Sequence, residues 1–332
     1  MKLFSSSSSE RRLLLVCTSL IVSLSMGLCS CSAPHKHIKK SPLPDVTNHS
    51  ELTETESFPV KLTISEQESF IIQEKPSRLA VLSADLAQAL EDIGAAGTIS
   101  NICSDAPSSI NAPGAKISGT VLGPDLDTII ASKPDWVLTS APMRQTSLET
   151  LSHHGIQVIT FPVPSNPGEI CDRYQMLFTL CFGSKGNPAY QEFIEKYQKK
   201  FDSIVNPIRE YTDITRKKSA IYLAVPDYTM ATAETFESQL LENLSLNNLG
   251  NLGSQWLYPE NEQNALDPEI IFYDRLLSPE QIIQSDVYKN CAAVREGQLY
   301  PVDFSAVRLR GVPMMEELEK MARAAYPEAF PH

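Results

Sequence analysis

Several chemical signatures are absent from this 332-residue chain. The sequence contains no GxSxG nucleophile motif, no GxGxxG nucleotide-binding motif and no Walker loop. It offers no set of His, Cys and carboxylate residues that suggests a catalytic nucleophile. The seven cysteines form no CxxC pair and no other metal-ligand spacing. We therefore expect neither an enzyme nor a bound cofactor, and no structural metal site.

Basic residues and histidines are both scarce. Lys and Arg number 28 against 40 Asp and Glu, which gives a net charge of −12. Binding to nucleic acid or to an anionic membrane surface relies on clustered basic side chains, so the charge argues against both partners. A zinc or manganese site needs about three or four converging His and carboxylate ligands. His153 and His154 are adjacent, and no further histidine occurs before His332.

Long hydrophobic runs are also scarce, and the most apolar run lies near the start of the chain. It extends from Leu13 to about Leu28 and follows the basic residues Lys2, Arg11 and Arg12. Its length is short of the roughly 20 residues that span a bilayer. We therefore interpret residues 1–30 as a signal peptide. Its removal leaves a net charge of −14.

The end of this segment resembles the lipobox of bacterial lipoproteins. Leu28 lies three residues before Cys31, and the small residue Ser30 lies directly before it. The resemblance implies that Cys31 is lipidated and that the protein is anchored to a membrane outside the cytoplasm. Cleavage after Ala33, which would release a soluble exported protein, is the alternative. Residues 31–57 are polar and lack apolar periodicity, so we predict a disordered tether.

The rest of the chain alternates strand and helix patterns, which is typical of parallel α/β sheets. A short apolar helix, a Pro-acid step and a β run occur twice, at 126–138 and 265–274. This repetition predicts an α/β fold of two lobes, each a parallel sheet flanked by helices, with a ligand cleft between them. A long amphipathic helix, with Asn187 as its cap, joins the lobes. We place the N-terminal lobe at 58–186, the interdomain helix at 187–214 and the C-terminal lobe at 215–332.

Four cysteines lie in the body of the predicted fold. Cys171 and Cys181 are ten residues apart in a predicted helix, which separates them by roughly 15 Å, too far for a disulfide. We predict that these two, with Cys103 and Cys291, are buried free thiols.

Five short sequence segments resemble those of the substrate-binding proteins of ABC importers for iron-siderophores, haem and cobalamin, and they occur in the same order as in that family. The resemblance covers about residues 58–332. It rests on the segments Pro76–Ser83, Gly119–Leu138, Asn247–Asn251, Cys291–Tyr300 and Tyr326–Phe330. Such a protein captures a small-molecule metal chelate and delivers it to a permease and its ATPase. We expect a monomer, as the lipoprotein or periplasmic component.

In this family one acidic residue on each lobe docks onto arginines of the permease. The resemblance assigns this role to Asp127, one methylene shorter than the usual Glu, and to Glu262, with Glu260 as the alternative. Asp127 could instead only favour the first turn of its helix through the macrodipole. Exposed ion pairs contribute roughly 0 to 1 kcal/mol each, which suits a carrier that docks and leaves.

The loops at the carboxyl ends of the strands are expected to line the cleft. Within or beside them, Arg144, Tyr228, Trp256, Arg308 and Arg310 are our candidate ligand-binding residues. Guanidinium groups suit anionic ligands, and aromatic faces suit flat ones. Arg308 and Arg310 could instead share a solvated face of an extended segment, and Trp256 could be a packing residue.

These residues favour a ferric siderophore or haem. Cobalamin is possible but less favoured, because only two tryptophans are present to form the aromatic lining associated with its recognition. Two alternatives remain open. The first is a zinc- or manganese-binding protein of related architecture, and the second is a ligand-sensing lipoprotein that serves no transporter.

Overall fold

The computed structural model describes residues 57–225, 229–259, 262 and 265–330. The predicted signal peptide, Cys31 and the tether up to residue 56 lie outside these ranges, as does Tyr228. None of the helices in the described ranges is both long and apolar enough to cross a membrane.

The first half of the fold is built on a five-stranded sheet that follows a small antiparallel hairpin. The strands of the sheet are parallel and are ordered β5-β4-β3-β8-β9. Its elements, with the hairpins β1–β2 and β6–β7, are β1 (Val60–Thr63), β2 (Ser69–Ile72), β3 (Leu79–Val81), α1 (Ala84–Asp92), β4 (Ile99–Ile102), β5 (Lys116–Ile117), β6 (Gly119–Thr120), β7 (Gly123–Pro124), α2 (Leu126–Ser132), β8 (Trp136–Thr139), α3 (Gln145–His153), β9 (Gln157–Thr160) and α4 (Pro167–Phe182).

The second half is built on a four-stranded parallel sheet ordered β11-β10-β12-β13. Its elements are α5 (Gly186–Asp213), β10 (Ser219–Leu223), α6 (Phe236–Asn243), β11 (Asn247–Asn248), β12 (Ile270–Asp274), α7 (Pro279–Ile283), α8 (Ala292–Arg295), β13 (Leu299–Val302), α9 (Phe304–Arg308) and α10 (Val312–Ala325). Short 3-10 turns lie at Ala96–Thr98, Gly183–Lys185, Leu249–Leu252 and Pro327–Ala329.

The repeated Pro-acid step has the same structural role in both sheets. In the first sheet the Asp135 carboxylate accepts hydrogen bonds from the backbone N–H groups of Ser77 (2.7 Å) and Arg78 (2.8 Å), just before β3. In the second, Glu269 accepts one from the N–H of Ser219 (2.9 Å), the first residue of β10. Each acid therefore binds the start of the neighbouring strand, and this fixes the register of the pair.

Helix α5 joins the two halves. Its first part packs on α4 through aromatic rings, with Tyr174 and Phe193 4.6 Å apart, and further along Lys200 forms an ion pair with Glu319 of α10. The two-lobe parallel α/β fold with one long connecting helix is therefore confirmed, whereas the exact lobe boundaries stay a prediction.

The expectation that Asn187 caps α5 is wrong. The helix already begins at Gly186, and Lys185 precedes it without a side-chain cap. A Cβ atom on Gly186 would lie 2.7 Å from the backbone oxygen of Phe178. Helices α4 and α5 can approach this closely only because residue 186 has no side chain, and α5 begins at this glycine.

The four body cysteines are free thiols. Cys103, Cys181 and Cys291 are buried as predicted, whereas Cys171 is only partly buried. Burial raises the pKa of Cys181 to about 12, so its thiol stays protonated and unreactive at neutral pH.

Candidate functional site

Loops at the carboxyl ends of the two sheets come into contact. The contact is direct, since Nη1 of Arg310, which follows β13 and α9, donates a hydrogen bond to the backbone oxygen of Pro164, which follows β9. Crevices at the carboxyl ends of parallel strands are the usual ligand sites of such sheets. The junction between these loops, which we call the cleft, is therefore our candidate site.

A polar network forms the N-lobe side of the cleft floor. The fully buried guanidinium of Arg173 on α4 forms an ion pair of 2.9 Å with Asp85 on α1. The other oxygen of that carboxylate accepts from Oγ of Ser140 (2.7 Å), and Oγ of Ser83 accepts from the N–H of Ser140 (2.9 Å). The loops after β3 and β8 are thus held together through Asp85 and Ser83.

Arg173 also binds the opposite lobe. Its Nη2 donates to the backbone oxygens of Leu309 (3.1 Å) and Arg310. Further below the floor, the Asp92 carboxylate accepts from the hydroxyl of Tyr174 and from the N–H of Val312 (3.2 Å). Burial raises the pKa of Asp92, against the opposing effect of these hydrogen bonds. The segment 309–312 is therefore attached to the N-lobe by side chains of α1 and α4.

Aromatic rings line the C-lobe side. Phe304 stacks on Tyr222 at 4.2 Å between ring centres, and Trp256 meets the same ring edge-on at 6.4 Å. Tyr222 is fully buried, and its hydroxyl has no hydrogen-bond partner among the described residues. Burial raises its pKa well above the ordinary value, and the charge of Glu237 adds to that effect.

Glu237 and Arg310 form the charged part of this side. The ring of Phe236 lies 4.7 Å below the guanidinium carbon of Arg310. Burial lowers the pKa of Arg310 and raises that of Glu237, while the attraction between the two charges opposes both shifts. Nε of Arg310 is buried without a partner in the described part of the chain. The site therefore contains an N–H donor that makes no hydrogen bond within the described fold.

The turn that carries Trp256 is unusual. Gln255 and Trp256 both have left-handed backbone angles, with φ of 53° and 66°. Such a conformation costs of order 1 to 3 kcal/mol for a residue with a side chain. The hydroxyl of Thr232 accepts from the N–H of Trp256 (3.2 Å), and the backbone oxygen of Trp256 accepts from Met230 (3.1 Å). These hydrogen bonds hold the backbone of the turn, and the indole ring lies next to Tyr222 on the C-lobe side.

The other predicted ligand-binding residues are placed as follows. Arg144 is exposed and directly precedes α3, and Arg308 is exposed at the end of α9. Arg308 and Arg310 do not lie in an extended segment, because Arg308 is helical and Arg310 has a left-handed φ of 50°. Burial raises the pKa of Glu237, and the charges of Arg310 and then Arg308 oppose this effect.

The two predicted docking acids are exposed. Asp127 lies in the first turn of α2, where Asp125 caps the helix by accepting from the N–H of Thr128 (3.1 Å). The hydrogen bonds from Thr128 lower the pKa of Asp125. Glu262 lies in the connection between β11 and β12.

The sequence patterns did not single out Arg173, Glu237, Tyr222 or Phe304. For Arg173 a signal existed. It shares a helix face with Ile170 and Leu177, three residues before and four after, and an arginine on an apolar face needs a buried partner. Tyr222 and Glu237 carried no such signal, because a buried strand and a helix start explain them.

No group of three or more His, Cys, Asp or Glu side chains able to hold a metal ion occurs in the described ranges. A surface pocket of about 420 Å³ lies at the opposite, amino-terminal edge of the N-lobe sheet. Its arginine, Arg78, donates to the backbone oxygen of Lys133 and so serves the fold.

The sequence profile of the family described as "Periplasmic binding protein" matches residues 79–306, which is more than half of the chain. A curated relative is the uncharacterized ABC transporter substrate-binding lipoprotein YvrC of Bacillus subtilis. It is 20% identical over 285 residues, which cover 83% of this chain and 88% of the relative.

Two solved structures resemble the fold closely. The periplasmic heme-binding protein RhuT from Roseiflexus aligns with a TM-score of 0.63 and 13% identity, over 76% of this chain and 99% of that one. The siderophore-binding protein BauB, solved with two acinetobactin molecules and ferric iron, aligns with a TM-score of 0.64 and 16% identity, over 80% and 99%. At these identities the likeness concerns the fold.

Proposed function

Because this chain belongs to the periplasmic binding protein family, we propose that it is the extracytoplasmic substrate-binding component of an ABC importer. It captures a metal chelate in the cleft between its lobes and delivers it to a permease and its ATPase. A lipid on Cys31 anchors it to the membrane. The observation that carries the proposal is the meeting of arginines and aromatic rings at the carboxyl ends of two parallel sheets.

The chemistry of the cleft favours an anionic, flat chelate such as a ferric siderophore or haem, with cobalamin as a further candidate. Exposed Arg308 and Arg144 provide guanidinium groups without a hydrogen bond or ion pair to any described residue. Such groups bind carboxylate, catecholate or phosphate oxygens in pairs. Trp256 offers an aromatic face on the C-lobe side, next to Tyr222.

Arg310 has a different role in this proposal. Its guanidinium is held between Pro164 of one lobe and Phe236 of the other, so it shapes the floor and adds positive charge there. An anionic ligand would meet this charge at close range, where the low dielectric strengthens the attraction.

Delivery requires contact with the permease, and we assign that contact to Asp127 and Glu262. Both carboxylates are exposed, and each belongs to a different lobe. Two exposed ion pairs orient the complex without binding it tightly. The carrier can then leave after the ligand is released.

The first experiment is native mass spectrometry of the protein against ferric siderophores, haem, cobalamins and free divalent metals. One retained chelate supports the proposal and names the ligand class, whereas retention of bare zinc or manganese contradicts it. Arg308→Met should then weaken binding of that chelate at least tenfold by titration calorimetry, since a charge-assisted pair is lost. Arg209→Met, on the exposed face of α5, is the control and should bind normally.

Charge reversal tests the transport role. The double variant Asp127→Lys with Glu262→Lys should abolish uptake in cells while ligand affinity is unchanged. Normal uptake by this variant would favour a sensing lipoprotein over an importer component.

A further inference from the structure

Exposed aliphatic side chains are concentrated at one end of the fold. Eleven large hydrophobic residues are exposed in the described ranges. Single exposed leucines are ordinary on any protein surface, but seven of these eleven lie in or after the carboxyl ends of the strands, at the cleft end. They are Ile117, Leu122, Val163, Val225, Leu252, Leu257 and Leu276.

Four of them form two pairs in equivalent places of the two lobes. Ile117 (69% exposed) ends the edge strand β5, Leu122 (71%) follows it, and both precede α2, which carries Asp127. Leu252 (75%) and Leu257 (62%) follow the edge strand β11 and precede Glu262. Each lobe therefore presents two aliphatic side chains and one carboxylate between its edge strand and a strand inside the sheet. The edge and inner strands are β5 and β8 in the N-lobe, and β11 and β12 in the C-lobe.

The N-lobe pair is held rigidly. Leu122 lies at the tip of the two-residue turn between β6 and β7, and a Cβ atom on Gly119 would lie 2.2 Å from the backbone oxygen of Gly123. The backbone N–H of Asp125 donates to Ser118 (3.0 Å), and its side chain caps α2. The tip that carries Leu122 and the helix turn that carries Asp127 are thus joined through one residue.

The C-lobe pair is held in a similar way. The buried side chain of Asn248 donates to the backbone oxygen of Ala231 (3.0 Å) and accepts from the N–H of Gly250 (2.9 Å). A Cβ atom on Gly253 would lie 2.5 Å from the backbone oxygen of Leu257. The turns that present Leu252 and Leu257 are therefore close-packed, and ordering them on binding costs little entropy.

We propose that Ile117, Leu122, Leu252 and Leu257 form the apolar part of the surface that docks on the permease, with Asp127 and Glu262 as its charged part. This inference rests on the proposed function and extends it. The net charge of −14 after signal removal disfavours an anionic lipid surface as the occupant. A protein surface that offers apolar depressions beside basic groups matches the apolar and acidic pattern of both lobes.

Site-specific photo-crosslinking in cells tests the surface. The full-length lipoprotein carries benzoylphenylalanine at Leu122, Leu252 or Glu262, or at Ile214, which is 84% exposed next to the amino end of β10. We expect light-dependent adducts with the same ABC permease subunit from the first three positions and none from Ile214. An adduct with a second copy of this chain, or equal adducts from Ile214, would overturn the inference.

The same experiment separates the inference from the proposed function. Permease adducts at Glu262 without any at Leu122 and Leu252 would remove only the apolar contacts. No permease adduct at any position would remove both. With the captured permease complex in nanodiscs, Leu122→Asn with Leu252→Asn should weaken binding tenfold or more, because buried aliphatic area is lost. Ile214→Asn should bind normally, and unchanged binding by the double variant would contradict the proposal.

Discussion

The buried polar groups on the two sides of the cleft differ in how they are paired. On the N-lobe side the Asp85 carboxylate is neutralised by Arg173 and bonded to Ser140. On the C-lobe side Glu237 is buried without an ion pair in the described ranges, and the hydroxyl of Tyr222 and Nε of Arg310 have no hydrogen-bond partner there, whereas on the N-lobe side of the cleft only Nε of Arg173 is left unpaired among the described residues. A fold tolerates uncompensated buried polar groups at a cost of about 1 to 3 kcal/mol each. The contacts of Arg173 with both lobes make the first side a joint between them, and we propose the second side as the binding wall.

The largest expected effect comes from removing the contacts that Arg173 makes with both lobes. Arg173→Met leaves Asp85 without its counter-ion and removes the hydrogen bonds to Leu309 and Arg310, so the free energy of unfolding should fall by about 3 to 5 kcal/mol. Urea unfolding measures it. Arg144→Met, at an exposed position, is the control and should change stability by less than about 0.5 kcal/mol. A loss below about 1 kcal/mol in Arg173→Met would contradict the assignment of a joint.

A smaller effect concerns the strand-binding acids at the other end of the sheets. The hydrogen bond from Arg216, with those from Ser219, lowers the pKa of Glu269 from its ordinary 4.5 to about 2. A lowered pKa means that the ionised form stabilises the fold, so this stability is present above pH 4.5 and is lost as the pH falls towards 2. Glu269→Gln should cost about 2 kcal/mol at pH 7 and roughly half of that at pH 3.

Unfolding curves at both pH values measure this difference. Asp135→Asn is the matched variant in the first sheet, where no arginine side chain of the described residues pairs with the carboxylate, and should cost about 1 kcal/mol. Equal losses in the two lobes would contradict a separate contribution from Arg216.

The smallest expected effect concerns Tyr222 on the C-lobe side of the cleft. Here the substitution should raise the free energy of unfolding instead of lowering it. Tyr222→Phe removes a buried hydroxyl without a described partner, so stability should rise by about 1 kcal/mol. In Tyr326→Phe the lost hydroxyl donates to the backbone oxygen of Ser245 (2.9 Å), and stability should fall by a similar amount. Thermal unfolding compares the two. A loss of stability in Tyr222→Phe would mean that its hydroxyl is satisfied in the folded protein.

Local patterns were sufficient for much of the fold but not for the site. The β runs at the ends of the repeats 126–138 and 265–274 predicted β8 and β12, because buried parallel strands have short hydrophobic sequences with turn residues at their ends. The short strands β6, β7 and β11 left no such pattern, since two residues carry no periodicity.

The site depends on contacts between distant parts of the chain. Arg173 lies 88 residues from Asp85 and 136 from Leu309, and no local rule pairs them. Arg308 and Arg310 were identified by their chemistry, but their backbone was predicted wrongly because α9 spans only five residues. Helical periodicity is not detectable over that length.

The chain has only two tryptophans, and the fold separates them. Trp136 begins β8 at the amino-terminal edge of its sheet and packs edge-on against Phe70 at 5.7 Å. Trp256 lies at the cleft beside Tyr222. The intrinsic fluorescence of the protein therefore contains one emitter at the cleft and one reference emitter remote from it. A chelate entering the cleft would quench the first more strongly than the second, so ligand capture can be followed optically without a label.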